Sequence, residues 1–277
     1  MKQHSASPFF MYLAYTLPHA ALQLPEGDAT FEHYKKKFNE KPVPVKEGWN
    51  GIGYQPQAYP HAAYAAMVTK LDSYVGEVVR ELKALGLEKQ TLIVFTSDNG
   101  PHKEGGNDPA FFNSGGGYRG IKRQLTEGGI REPVIVNWPR KIKAGRVSDH
   151  VAAFWDFLPT FAALTRQRLK QTDGISILPE LLKEGSQKQH EFLYWEFHED
   201  GGRQAVRMGK WKAIREGVKK EPDSPVQLFD ISSDPQELKD LAFQHPDIVS
   251  KMKQIMLREH MEHKDFPFLP IHHLPKE

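Results

Sequence analysis

The sequence predicts an α/β domain with a largely parallel sheet, followed by a small α+β unit built on an antiparallel sheet and a closing helix. Three observations carry this prediction. Residues 9–16, 92–97 and 134–138 are short apolar runs without polar alternation, the pattern of strands covered on both faces. Residues 58–85 place Val68, Leu71, Val75, Val78, Val79 and Leu82 at helical spacing with Gly86 at the stop, so strand, helix and strand follow in βαβ order. After Pro159 the texture changes to short strand-like runs separated by Gly-Gly, Gly-Lys and a Pro-containing loop, which are hairpin signals.

Within the second unit the runs 192–197, 204–208, 211–215 and 226–231 read as the strands. Residues 246–262 then set Ile248, Met252, Ile255 and Met256 on one helical face, which closes the sheet. Residues 28–57, rich in Pro, Gly and Lys, read as an irregular surface excursion. A boundary after residue 188 therefore divides the chain into an α/β part, 1–188, and an antiparallel-sheet part, 189–277.

Composition narrows the function classes. The chain has 277 residues, 37 Lys+Arg against 35 Asp+Glu, 39% hydrophobic residues and no Cys. Length alone suggests roughly two compact units with a sizeable core. Near-balanced charges spread along the chain argue against nucleic acid as a partner. The lack of Cys excludes disulfides, thiolate metal sites and a cysteine nucleophile, and leaves the redox compartment open. The apolar run at 9–15 is too short for a membrane span, and no export signal precedes it. It begins only eight residues in, so the opening elements of an ordinary domain are expected to be missing.

Chemistry concentrates at three places. Leu92-Ile93-Val94-Phe95-Thr96-Ser97-Asp98-Asn99-Gly100 is a strand that ends in a carboxylate, a carboxamide and a turn glycine. Ligands in open α/β sheets bind beyond the carboxyl ends of strands, and oxygen donors suit a hard cation; a plain Asp-Asn-Gly turn accounts for the same tripeptide. The run 118–131 contains Arg119, Lys122 and Arg123, of which a lysine can hold a tetrahedral oxyanion, whereas solvated loop charges are the ordinary alternative. His19, just past the first run, is either a proton-transfer group or a hydrogen-bonded structural histidine.

Pro8-Phe9-Phe10-Met11-Tyr12-Leu13-Ala14-Tyr15-Thr16-Leu17-Pro18-His19, Thr96-Ser97-Asp98-Asn99-Gly100-Pro101, and Arg119-Gly120-Ile121-Lys122-Arg123 with Glu127-Gly128-Gly129-Ile130-Arg131, in this order, closely resemble the formylglycine-dependent (type I) sulfatases of the alkaline phosphatase superfamily. Asp173-Gly174-Ile175-Ser176-Ile177-Leu178-Pro179, Tyr194-Trp195-Glu196-Phe197-His198-Glu199 and Leu228-Phe229-Asp230-Ile231-Ser232-Ser233-Asp234-Pro235 extend the resemblance over nearly the whole chain. It implies a partial alkaline-phosphatase-like fold and hydrolysis of sulfate esters. It further implies that Asp98 and Asn99 ligate a divalent cation, Ca²⁺ with Mg²⁺ as the alternative. Lys122 would hold the sulfate and its bridging oxygen, and His19 would contact the sulfate or protonate the leaving alcohol. His102, His198 and Arg119 fall where substrate-facing side chains are expected.

The departures are equally informative. Sulfatases carry two acidic metal ligands and a C/S-x-P-x-R motif, whose oxidation gives the formylglycine nucleophile, upstream of the portion matched here. This chain has neither the motif nor an Asp-Asp strand end before Phe9. It resembles the later part of a sulfatase, with about half the active site absent and little catalysis expected of it alone. Two other readings are a phosphodiesterase or phosphatase of the same superfamily, disfavoured by the 119–131 run, and a non-catalytic glycan-binding remnant. The expected ligand is a sulfated small molecule or glycan, the expected location periplasmic or secreted. Exposed sheet surface in the first half is expected to be covered by self-association or by an N-terminal partner segment.

Overall fold

The computed structural model describes residues 1–45 and 53–268. The chain forms two compact units, Met1–Gly117 with Pro133–Arg140, and Tyr118–Glu132 with Lys141–Glu277.

In the first unit the helices α1 (Ala29–Phe38) and α2 (Pro60–Ala84) pack together, with Tyr34 and Thr69 hydroxyls 2.9 Å apart between them. The helix α1 starts where Asp28 accepts hydrogen bonds from the Thr30 and Phe31 amides, both 3.0 Å, and satisfies N–H groups that have no partner within the helix. Lys70 of α2 pairs with the same carboxylate at 2.5 Å. That hydrogen bond, opposed by burial and helped by the two amides, holds the Asp28 carboxyl below its ordinary range. The residues 28–57 are therefore not an irregular excursion throughout: the Asp28 cap nucleates ten helical residues, while 46–52 lie outside the described residues. Leu22, Ala63 and Met67 form the buried centre, with Leu17, Leu24, Phe31 and Tyr64 around it.

The strands β1 (Ile93–Thr96) and β2 (Val134–Asn137) complete this unit as an antiparallel pair, Ile93 opposite Asn137 and Thr96 opposite Val134. The α/β class holds, but the parallel orientation does not for this pair. A parallel neighbour needs a crossover, usually a helix, that carries the chain back to the starting edge. Between Thr96 and Val134 the only α-helix is α3 (Glu127–Ile130), four residues long, and the chain returns antiparallel. Residues 9–16 likewise form no strand, because no strand among the described residues pairs with them; Phe10 and Tyr12 stay 75% and 81% exposed. Apolar, aromatic sequence favours a pleated surface only where a neighbour supplies one.

The second unit follows the sequence closely. The strands β3 (Leu193–Phe197), β4 (Arg203–Met208), β5 (Trp211–Glu216) and β6 (Val226–Asp230) form an antiparallel meander in that order. Gly209-Lys210 makes the tight turn between Met208 and Trp211, with Gly209 in the left-handed region (φ +58°). Side chains alternate between two faces. Val206, Ala213, Val226 and Leu228 pack on Met252, Ile255 and Met256 of the closing helix, α6 (Pro246–Glu259). Ala205, Ile214, Phe229 and Ile231 pack on Leu125 and Ile130.

The two helices α4 (Phe157–Thr165) and α5 (Leu178–Leu182) also belong here. The buried Asp156 carboxylate meets His190 Nε2 at 2.8 Å and accepts from the Ile175 amide at 2.7 Å. These ties, and the packing of 125–130 on the sheet, join residues before 189 to the second compact unit.

Candidate active site

Of the sequence-predicted residues, the first unit contains His19, Asp98, Asn99 and His102, and the second contains Arg119, Lys122 and His198.

Asp98 and Asn99 stand just past the carboxyl end of β1, with Asp98 exposed and the Asn99 amide nitrogen donating to the Asp98 carboxylate. His19 follows a turn in which its amide donates to the Thr16 carbonyl at 2.8 Å, and its Nδ1 lies 2.6 Å from the Ala20 carbonyl. His102 is buried, with ring centroid 5.9 Å from that of His19. Its Nε2 donates to the Pro18 carbonyl at 2.9 Å and its Nδ1 lies 3.1 Å from the Glu104 carboxylate. His102 thus grips the residue before His19. A cavity of about 340 Å³ opens beside His19, lined in part by Thr16, Gln23, Met67, Lys70 and Tyr74.

As cation ligands, Asp98 and Asn99 offer oxygen atoms of the right chemistry but too few of them, since Ca²⁺ takes about six to eight. Among the described residues no group of three or more His, Asp or Glu side chains is arranged to hold a metal. The pair fits as a contribution to a cation site and not as a whole one.

The segment 118–131 is folded tightly on itself. The Gly128 amide donates to the Arg119 carbonyl at 2.7 Å, the Gln124 amide to the Ile121 carbonyl at 3.0 Å, and the Ile121 amide to the Gln124 side chain at 3.0 Å. A Cβ on Gly128 would lie 2.5 Å from the Gly120 carbonyl oxygen, and one on Gly129 would lie 2.0 Å from that of Gln124. The two glycines are needed for this close approach. Lys122 sits at the middle of the fold, partly buried. Arg119 is not a solvated charge: its guanidinium lies 5.0 Å above the Phe229 ring.

His198 follows β3, partly buried, its Nε2 3.3 Å from Glu196 and its ring 4.9 Å from that of Phe268. Glu196 also meets His260 Nδ1 at 2.7 Å and accepts from the Tyr194 hydroxyl. Burial, and then the Glu196 carboxylate, push the Tyr194 hydroxyl pKa up, so it remains a donor.

Sequence reasoning did not find the partners of Glu127. On the sheet face opposite α6, the wholly buried Lys212 donates to Glu127 Oε1 at 2.8 Å and lies 3.2 Å from Glu237 Oε1. The Glu127 amide donates to Glu237 Oε2 at 2.7 Å, and Arg131 reaches Glu127 Oε2 at 3.3 Å. Burial alone would raise the Glu127 carboxyl pKa; Lys212, Arg207 and Arg131 more than offset it, and it sits below its ordinary value. For Glu237 burial outweighs Lys212 and the carboxyl sits above it. The only sequence signal was Glu127 itself, inside the 118–131 run that carries the family resemblance.

The molecule is thus of the α/β class, with Asp98 and Asn99 just past β1 and His198 just past β3. Residues 1–167 match the sulfatase family, and residues 118–263 match the family described as N-sulphoglucosamine sulphohydrolase, C-terminal. The chain belongs to the sulfatase family, whose named members are sulfuric ester hydrolases. It is 30% identical over 260 residues to arylsulfatase A of Bos taurus, a match covering 85% of this chain and 44% of that protein. It is 28% identical over 272 residues to N-acetylgalactosamine-6-O-sulfatase of Bacteroides thetaiotaomicron, covering 91% and 47%. The crystal structure of Ps i-CgsB in complex with k-i-k-neocarrahexaose superposes with TM-score 0.69 at 30% identity, covering 91% of this chain and 50% of that one. The chain therefore spans about half the length of these relatives. Among the described residues no helix is long and apolar enough to cross a membrane.

Proposed function

We propose that this chain carries the sulfate-holding and leaving-group side of a site that hydrolyses sulfate esters on a sulfated carbohydrate. The observation that carries the reading is the sulfatase match over residues 1–167, which contains His19, Asp98, Asn99, His102, Arg119 and Lys122. A relative named N-acetylgalactosamine-6-O-sulfatase, and a structural neighbour solved with a neocarrahexaose, support a sugar as the substrate. The periplasm or the cell exterior is the corresponding place of action.

Each role follows from the chemistry of the side chain. Lys122 brings a compact positive charge to the sulfate, where negative charge shifts toward the bridging oxygen as the S–O bond breaks. His19 is the donor of the proton that the leaving alcohol needs, with His102 fixing the backbone before it through the Pro18 carbonyl. Asp98 and Asn99 contribute oxygen ligands to a divalent cation, Ca²⁺ in the first instance, which supplies Lewis-acid polarisation of the sulfate. Arg119 and His198 are the sugar-facing groups, His198 being held by Glu196.

Calorimetry on the intact chain tests the reading. N-acetylgalactosamine 6-sulfate should bind, unsulfated N-acetylgalactosamine should not, and Lys122→Ala should weaken the sulfated sugar by at least about tenfold, the loss of one charge-assisted contact. Equal binding of the two sugars would overturn it.

A further inference from the structure

We propose that Lys212, more than 80 residues beyond the segment it controls, is a positioning residue: through Glu127 it locks the 118–131 fold that presents Lys122 and Arg119. The inference rests on the reading of Lys122 as the sulfate contact, and deepens it.

The geometry forms one continuous path. Lys212 lies on the sheet face that also carries Ile214 and Phe229, directly opposite Arg207 and Phe229 in the ladder. Its ammonium is fully buried and ends between two carboxylates, Glu127 at 2.8 Å and Glu237 at 3.2 Å. Glu127 is clamped at both its ends, the side chain by Lys212 and Arg131, the backbone N–H by Glu237. Its chain neighbour Gly128 holds the Arg119 carbonyl, and Gly129 lies against the Ile121 and Gln124 carbonyls with no space for a Cβ. Lys122 is thus carried on a loop whose floor is Glu127-Gly128-Gly129. A second hold comes from β4, where Arg203 donates to the Arg123 carbonyl at 2.8 Å and Arg123 itself adopts a left-handed φ of +75°. Such a conformation in a non-glycine residue persists only when the surroundings impose it.

Charge explains why Lys212 governs this arrangement. With Lys212 in place, Glu127 faces Lys212, Arg207 and Arg131 and stays ionised in a dry environment. Without it, two buried carboxylates face each other across the Glu127 amide with only the partly buried Arg207 and the exposed Arg131 left to answer them, and separation of the loop from the sheet is the way to rehydrate them. The hydrophobic packing of the sheet on α6 lies on the opposite face and does not depend on this cluster.

The test uses the intact chain, ¹⁵N-labelled, with inorganic sulfate as the probe. In Lys212→Met, amide hydrogen exchange within 119–131 should quicken by at least about tenfold while β4 and β6 amides keep their protection. The sulfate-induced shift of the Lys122 resonance should shrink, and sulfate affinity should fall by about fivefold or more. Uniform quickening across β3–β6, or unchanged exchange in 119–131, would overturn the proposal. If Lys212→Met does not fold, Glu127→Gln keeps the side-chain volume and should give the same localised quickening, and unaltered exchange there overturns the proposal equally. Should Lys122→Ala leave sulfate affinity intact, the reading of Lys122 fails, while the exchange of 119–131 still decides whether Lys212 holds the loop.

Discussion

The two units differ in how their apolar side chains are covered. In the second, both sheet faces are sealed, one by α6 and the other by residues 125–130, so that Val206, Ala213 and Leu228 are wholly buried. In the first, the two-stranded ribbon leaves Val134 and Ile135 at 52% and 62% exposure, α2 leaves Val68 at 42%, and Phe10 and Tyr12 project from irregular backbone. The second sheet is built from strands adjacent in sequence, and the first pairs segments about forty residues apart. A meander joined by short turns can close its own core, whereas a two-stranded ribbon gains little from pairing alone.

This contrast can be broken most forcefully by removing buried side chains. Leu228→Ala, at a fully buried position against α6, should cost about 2–5 kcal/mol in denaturant unfolding, while Ile135→Ala should stay within about 0.5 kcal/mol. Similar costs at both would erase the distinction. Native-state hydrogen exchange sharpens it next: amides of β4 and β5 should exchange roughly a hundredfold more slowly than those of β1 and β2. Comparable protection would show that the first sheet is as well held as the second.

The smallest effect concerns the Asp28 cap. Asp28→Ala should cost about 0.5–2 kcal/mol, seen as a lower helix content and midpoint. The folded-state pKa of this carboxyl is depressed, so its contribution is present above the unfolded value of about 3.9 and is lost as the pH falls through the lower folded value. The variant and the parent chain should accordingly converge in stability as the pH falls through that lower folded value. A difference between them that persists there would place the effect in helix packing instead of in the charge.

The same locality decided what the sequence could reveal. The four strands of the second unit were legible because Gly201-Gly202 and Gly209-Lys210 mark their turns within a few residues. The long helix was legible from the spacing of Val68, Leu71, Val75 and Leu82. The orientation of β1 and β2 was not, since pairing across residues 97–133 leaves no trace in either strand, and the run 9–16 has strand chemistry without a strand's neighbour. At the site, His19, Asp98, Asn99 and Lys122 stood out through their side-chain chemistry and place in the chain, and a family resemblance gave their expected roles. His102's grip on Pro18 joins positions 84 apart, and the Glu127 amide bond to Glu237 spans 110, distances over which side-chain type carries no local signal.

The cluster of Glu127, Lys212 and Glu237 has a consequence for how such a chain can diverge. Replacing Lys212 alone leaves two carboxylates in the interior without the ammonium between them, yet replacing the three together by uncharged groups of like volume removes the buried charge altogether. Point substitution at Lys212 must therefore cross a valley, and descendants should retain Lys212 together with its carboxylates or exchange the trio as a block. The three codons, scattered over more than a hundred positions, are inherited as though they were one.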